Sequence, residues 1–190
     1  MTVTTLAPPA AEPVRLDDVR AYLRIGHTNE DGLVADLVAA ARARIEALTG
    51  LALINRTIRV RLDEWPAAMA RVRRYALPVR PAAELIAVKV IDASGDPEDV
   101  AERFELEAGR SAHLVWSDGA LPRPWTPVGG VEIDYVAGFG DAPEDVDESL
   151  ILAVMRLTAH AYLARDAQTL AGALPGDVAE LLAPWRRVRL

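Results

Sequence analysis

The side chains able to do acid–base or metal chemistry are few and scattered. The three histidines, His27, His113 and His160, fall in a loop, a weak strand and a helix. Metal sites usually show at least one close ligand pair, such as two histidines at i and i+4. None of these histidines has another at such spacing, and four residues before His160 stands Arg156, a poor companion for a cation. Packed or solvated histidines are therefore expected, and no metal or other cofactor. The chain has no cysteine, which removes thiol nucleophiles, zinc–thiolate sites, iron–sulfur clusters and disulfide scaffolds. Its serines, Ser94, Ser111, Ser117 and Ser149, stand in no GxSxG or comparable frame beside a histidine. The densest carboxylate tract, Asp141, Glu144, Asp145, Asp147 and Glu148, lacks the alternating ligands and central glycine of a calcium loop. Carboxylates at a helix start have a sufficient reason to be there, since the helix dipole favours them. The segment GFGD at 138–141 has two glycines of a dinucleotide loop but no third, and Pro143 follows. Catalysis is not expected.

The cations are more suggestive. Of 21 basic residues only Lys89 is a lysine, and the formal charge is −7. Residues 92–148 carry 15 acidic and 3 basic side chains, whereas the remainder carries 13 acidic and 18 basic. Such a division suggests a polarised surface, unless folding mixes the two regions. Arg59, Arg61, Arg71, Arg73 and Arg74 form a cluster that could be a patch for phosphate or an interface with an acidic surface, unless they are simply solvated or paired with carboxylates of a neighbour. The chain ends in Trp185, Arg186, Arg187, Val188, Arg189 and Leu190, after Pro184. Tryptophan and arginine are enriched at interface hot spots, so residues 185–190 read as a docking tail.

The elements that position these residues follow from periodicity. Residues 1–13, with Pro8, Pro9 and Pro13, read as a flexible or extended arm. Leu16, Val19 and Leu23 mark a short helix ending at Gly26. A longer helix of about 28 Å runs from about residue 30 to Thr49, with Gly50 as its C-terminal cap. Its apolar stripe is Leu33, Leu37, Ala41, Ile45 and Leu48, flanked by Val34 and Val38. The period then changes to two. Ile58, Val60 and Leu62 alternate with arginines, and further strands are expected at 72–77, at 85–92 with Ile86, Val88 and Val90 on one face, at 103–106, 113–116 and 131–137. LPRPWTPVGG reads as a proline-rich loop. A helix beginning at Pro143–Glu144 and running to about 164 follows, with Ile151, Val154, Leu157 or Thr158, and Ala161 on one face, then a short one at 177–183. Two helices, a block of strands, then two helices describe an α+β fold with a mostly antiparallel, strand-rich insertion at about 54–137 in a single domain spanning 14–184. No apolar run approaches a membrane span of about 18 residues, and the start shows no secretory signal pattern, so a soluble, intracellular protein is expected.

In order and spacing, several segments resemble the head–tail connector (adaptor) proteins of long-tailed bacteriophages and gene transfer agents. They are VRLDDVRAYLRI, LVADLVAAARARIEALTGLALINRTIRVRLD, LPVRPAAELIAVKVIDASGD, VEIDYVAGFGDAP, LILAVMRLTAHAYLARD and LPGDVAELLAPWRRVRL, together covering nearly all of the chain from Val14. The resemblance implies a non-enzymatic part of a virion or phage-like particle, assembled in the bacterial cytoplasm at the head–tail junction. It implies a ring of about twelve copies, with the C-terminal segment reaching the portal protein and the strand-rich part facing neighbours and the next tail-side component, a stopper or tail terminator. Double-stranded DNA would pass through without sequence-specific binding, past an acidic lumen that repels it. The arm before Val14 and the acidic stretch at about 92–107 depart from the family pattern. Two other readings of the residues stay open: a small nucleic-acid-binding or regulatory module using the arginine strand, and an enzyme with a carboxylate site around Asp145 and Asp147.

Overall fold

A computed structural model of the chain describes residues 1–117, 119–126, 128–164 and 174–186. The chain divides into two compact units. The sheet unit comprises Met1–Pro9 and Asn55–Gly138, and the helical unit Ala10–Ile54 and Phe139–Leu190.

In the sheet unit, β1 (Thr2–Thr5), β2 (Arg56–Leu62), β4 (Ala82–Ile91), β5 (Pro97–Asp99) and β8 (Val131–Ala137) form one sheet, with α3 (Met69–Val72) lying in the sequence between β2 and β4. Its order is β1-β2-β8-β4-β5, and every pairing is antiparallel. A second sheet has the order β3-β7-β6, from Arg74–Ala76, His113–Trp116 and Phe104–Glu107. The two-residue period of β2 puts Ile58, Val60 and Leu62 inward, as expected. Val131, Ile133 and Tyr135 of β8 are likewise buried. The Tyr135 hydroxyl is satisfied inside, donating to the Val79 carbonyl and accepting from the Val79 amide, both at 3.1 Å.

The helical unit contains α1 (Leu16–Leu23), α2 (Asp31–Thr49), α4 (Glu148–Leu163) and α5 (Gly176–Leu182). Val19, Val34, Ile45, Leu150, Val154 and Leu182 are among the side chains that form its core. Gly50 closes α2 in the left-handed region, at φ 69°, and its amide donates to the Glu46 carbonyl. Asp147 caps α4, its carboxylate accepting from the Ser149 amide at 2.9 Å.

The architecture is α+β with antiparallel sheets, but a strand comes first rather than a helix. Thr2–Thr5 pairs along β2, from Thr2 opposite Arg61 to Thr5 opposite Ile58. All four residues of that segment are β-branched, which favours a strand, but the neighbouring prolines obscured it. The stripe expected on α2 is rotated: Leu33 and Leu48 are 41% and 45% exposed, while Val34, Val38, Ala41, Ile45 and Thr49 point inward. Glu46 turns inward beside them and accepts from the Leu53 amide. In β4 an irregularity between Leu85 and Ala87 puts two residues where one was expected. Ile86 is therefore outside and Ala87 inside. The strand expected at 72–77 is shortened by α3, and Pro143 opens a separate 3-10 turn, Pro143–Asp145, rather than α4 itself. Strand β5 had no periodic signal in three residues.

Candidate assembly surfaces

The arginine face of β2 is occupied by its own chain. Antiparallel register sets Arg59 opposite Asp134 and Arg61 opposite Glu132. The Arg59 guanidinium grips Asp134 with both arms, at 2.8 and 2.7 Å, and Arg61 Nε donates to Glu132 at 2.7 Å. Asp134 is buried, and its hydrogen bond holds the Arg59 guanidinium well above its ordinary pKa, against some desolvation. Reversing both charges would thus strike the fold as well as any interface. Arg74 pairs with Glu107, and Arg73 lies over the Trp116 ring, 4.5 Å from its centroid. Arg71 is exposed. Of the five expected interface arginines, Arg71 is the most plainly available to another molecule.

These pairs also dissolve the charge division seen along the sequence. By compact unit, the sheet unit holds 13 acidic and 11 basic residues, and the helical unit 15 and 10. Several exposed carboxylates of the sheet unit lie on the β4–β5 hairpin, others at Asp63, Glu64, Glu84 and Glu105. Asp96, Glu98 and Asp99 are exposed on the hairpin, and the Asp92 carboxylate pins the turn by accepting from the Ser94 and Asp96 amides.

The C-terminal residues part company. Trp185 is buried: it meets Phe139 edge-on at 5.6 Å and donates from Nε1 to the Ser149 hydroxyl at 3.1 Å. The expectation that this tryptophan stays with the free tail is corrected, because Ser149 supplies the polar partner and the core supplies the apolar one. Arg186 is exposed, and Arg187, Val188, Arg189 and Leu190 lie outside the described residues.

The carboxylate tract has local uses. Asp145 accepts from the Ala142 amide at 3.0 Å, Asp147 caps α4, and Glu144 pairs with Arg15. Gly140 is needed because a side chain there would run into Asp145, and Gly138 because one would strike Asn55. That explains GFGD without a nucleotide. His160 contacts Asp177 at 3.2 Å, His113 Nδ1 lies 2.6 Å from the Ser111 carbonyl, and His27 is exposed. Among the described residues, no group of three or more His, Asp or Glu side chains could hold a metal ion, and no helix is long and apolar enough to cross a membrane. Sequence reasoning passed over Trp125 and Val128, which are 72% and 78% exposed in the loop before β8. The signal was present: a tryptophan between prolines, in a segment with no amphipathic period to bury it.

These surfaces suit a part that works by contact, and comparison with known structures identifies its class. A chain in the virion of a native gene transfer agent particle matches over 100% of this chain and 97% of its own, at 30% identity and TM-score 0.84. A chain in the neck of the empty particle, computed with C6 symmetry, matches over the same shares at 32% identity and TM-score 0.83. One in the native neck, computed with C12 symmetry, does so at 30% and 0.80. The chain belongs to the family of these gene transfer agent neck proteins, structural components of a virion. No protein-family model and no curated protein matches it.

Proposed function

We propose that this protein is the head–tail connector, or adaptor, of a phage-like particle, forming a ring of about twelve copies beneath the portal. The observation carrying this reading is the full-length likeness to neck chains in particles computed with C6 and C12 symmetry. The stopper or tail terminator docks on the tail side, and double-stranded DNA passes through the ring. The rival readings lose support locally. The β2 arginines that a nucleic-acid module would use are bound to Asp134 and Glu132, and Asp145 and Asp147 serve the backbone.

The docking tail begins after Trp185, at Arg186. Deleting 186–190 should leave a folded protein that no longer attaches to the portal. Deleting 185–190 should also remove about 3 kcal/mol of stability, the usual loss on emptying a buried tryptophan site. Electron microscopy of particles carrying the shorter deletion should show heads parted from tails. Normal joining would refute tail docking, and an intact neck without a ring of this chain would refute the adaptor reading itself.

A further inference from the structure

Strand β1 is the least committed element of the sheet unit. Thr2–Thr5 is an edge strand whose neighbour in the sheet is β2, and residues 1–8 are all exposed. The Leu6 amide donates to the Thr57 carbonyl at 3.0 Å, which sets the further hydrogen-bonded pairs at Thr4–Arg59 and Thr2–Arg61. Beyond this ladder the Tyr75 hydroxyl reaches Met1 Sδ at 3.2 Å, a weak acceptor. A strand exposed on both faces has weakly specified pairing, the condition in which elements exchange between copies. β2 does not depend on β1, since β8 pairs with it along Arg56–Leu62 and its carboxylates hold Arg59 and Arg61. Without β1, β2 would present the open backbone groups of Thr57, Arg59 and Arg61, a template for a strand of this same sequence.

The connection from β1 suits a reach outward. The chain passes from the sheet unit to the helical unit between Pro9 and Ala10. Glu12 is then anchored in the helical unit: Arg42 Nε and Nη2 donate to its carboxylate oxygens at 2.7 and 3.2 Å, and Pro13 and Val14 are buried. Residues 7–11 between these fixed ends include Pro8 and Pro9. Proline-rich segments favour an extended form of about 3.1 Å per residue, so this linker holds its ends up to about 16 Å apart. β1 therefore ties the helical unit of the copy that supplies it to the sheet unit of the copy that receives it. Within one chain that tie is redundant, because the chain also crosses between the units at Ile54–Asn55 and Gly138–Phe139. Between copies it is a heterologous contact, the kind a closed ring needs.

We propose that in the assembled ring β1 of each copy pairs with β2 of its neighbour instead of its own, a strand exchange that helps close the ring. The proposal rests on the ring reading above. Own and exchanged pairing make the same contacts with β2, so exchange loses no interaction and adds a link at every junction.

Val3 and Val60 face each other in a non-hydrogen-bonded pair, where Cα atoms lie about 4.5 Å apart, within disulfide reach. The chain has no cysteine to interfere. Particles assembled from two differently tagged copies, one Val3→Cys and the other Val60→Cys, hold no copy able to close this disulfide within itself. Oxidation should give dimers carrying both tags on non-reducing gels. The double variant should close an intrachain disulfide as an isolated chain, but a ladder of linked copies in particles. Because Val60 is buried, Thr2→Cys with Arg61→Cys repeats the test at a surface pair should Val60→Cys fail to fold. An intrachain disulfide in particles, with no mixed-tag dimer, would overturn the exchange and leave the ring standing. Free thiols at both positions in particles would overturn it too, since β1 would then not lie on β2. Wild-type particles without a ring of this chain would overturn both the exchange and the ring.

Discussion

Glu46 is a charged side chain held inside the helical unit. It is 8% exposed, accepts from the Leu53 amide at 2.9 Å through Oε1, and holds Arg42 at 3.0 Å through Oε2. Arg42 also binds Glu12; burial works against its charge, but the two carboxylates outweigh this and raise its pKa. Glu46→Ala would leave the buried Leu53 amide without its acceptor and Arg42 with Glu12 alone, so we expect a loss of about 2 kcal/mol, read from the urea midpoint at constant m. Glu46→Gln keeps a carbonyl for Leu53 and should lose distinctly less. At Asp177, desolvation opposes ionisation, but the hydrogen bond and charge of His160, the Val178 amide and Arg156 outweigh it and lower the carboxyl pKa. A carboxyl lowered in the folded state stabilises above its unfolded pKa, and that stabilisation disappears as pH falls through the folded value. Wild type should therefore lose more stability than His160→Ala between about pH 5 and about pH 2. Parallel acid limbs for the two proteins would refute this account of the pair.

Among the elements, strands with a clean two-residue period and helices with capped ends were legible before any coordinates. β2 and β8 bury the residues their alternation selects, and Gly50 ends α2. What periodicity missed includes the irregularity in β4 that turns Ile86 outward, and the inward Glu46 on the buried face of α2. A short element such as β5 becomes a strand through its partner rather than through pattern. The end of β8 is equally constrained by its neighbour. Gly138 has φ 152°, and a Cβ there would sit 2.4 Å from the Asn55 amide nitrogen. Gly138→Ala should lower stability by more than about 1 kcal/mol, seen as a lower thermal midpoint, whereas alanine at the open Gly32 should change it little.

At the scale of the whole molecule, the arginine-rich and acidic parts of the sequence neutralise each other across β2 and β8, and Asp96, Glu98 and Asp99 on the β4–β5 hairpin stay exposed. In the ring proposed above, this hairpin is the candidate for an acidic lining that DNA would pass. Like-charge repulsion keeps the polyanion from sticking, and its effect weakens as salt screens it. Asp96→Lys with Glu98→Lys should slow DNA release from assembled particles, with the delay shrinking as ionic strength rises. Unchanged release at low salt would place the lining elsewhere.

The sequence by itself determined the α+β class, the longest helix, the alternating strands and the absence of thiol chemistry, because these depend on residue type and short-range period. The order and spacing of its segments also supported the resemblance to the neck family that structural comparison establishes at coarse level. Only the tertiary structure decided which charged residues are free. Arg59 meets Asp134 across 75 positions, Arg61 meets Glu132 across 71, and Trp185 finds Ser149 across 36. Nothing local marks such pairings, since strand register and helix packing bring them together. The same long-range packing buries Trp65 and Trp185 while Trp125 stays in water, a difference that residue type alone does not mark.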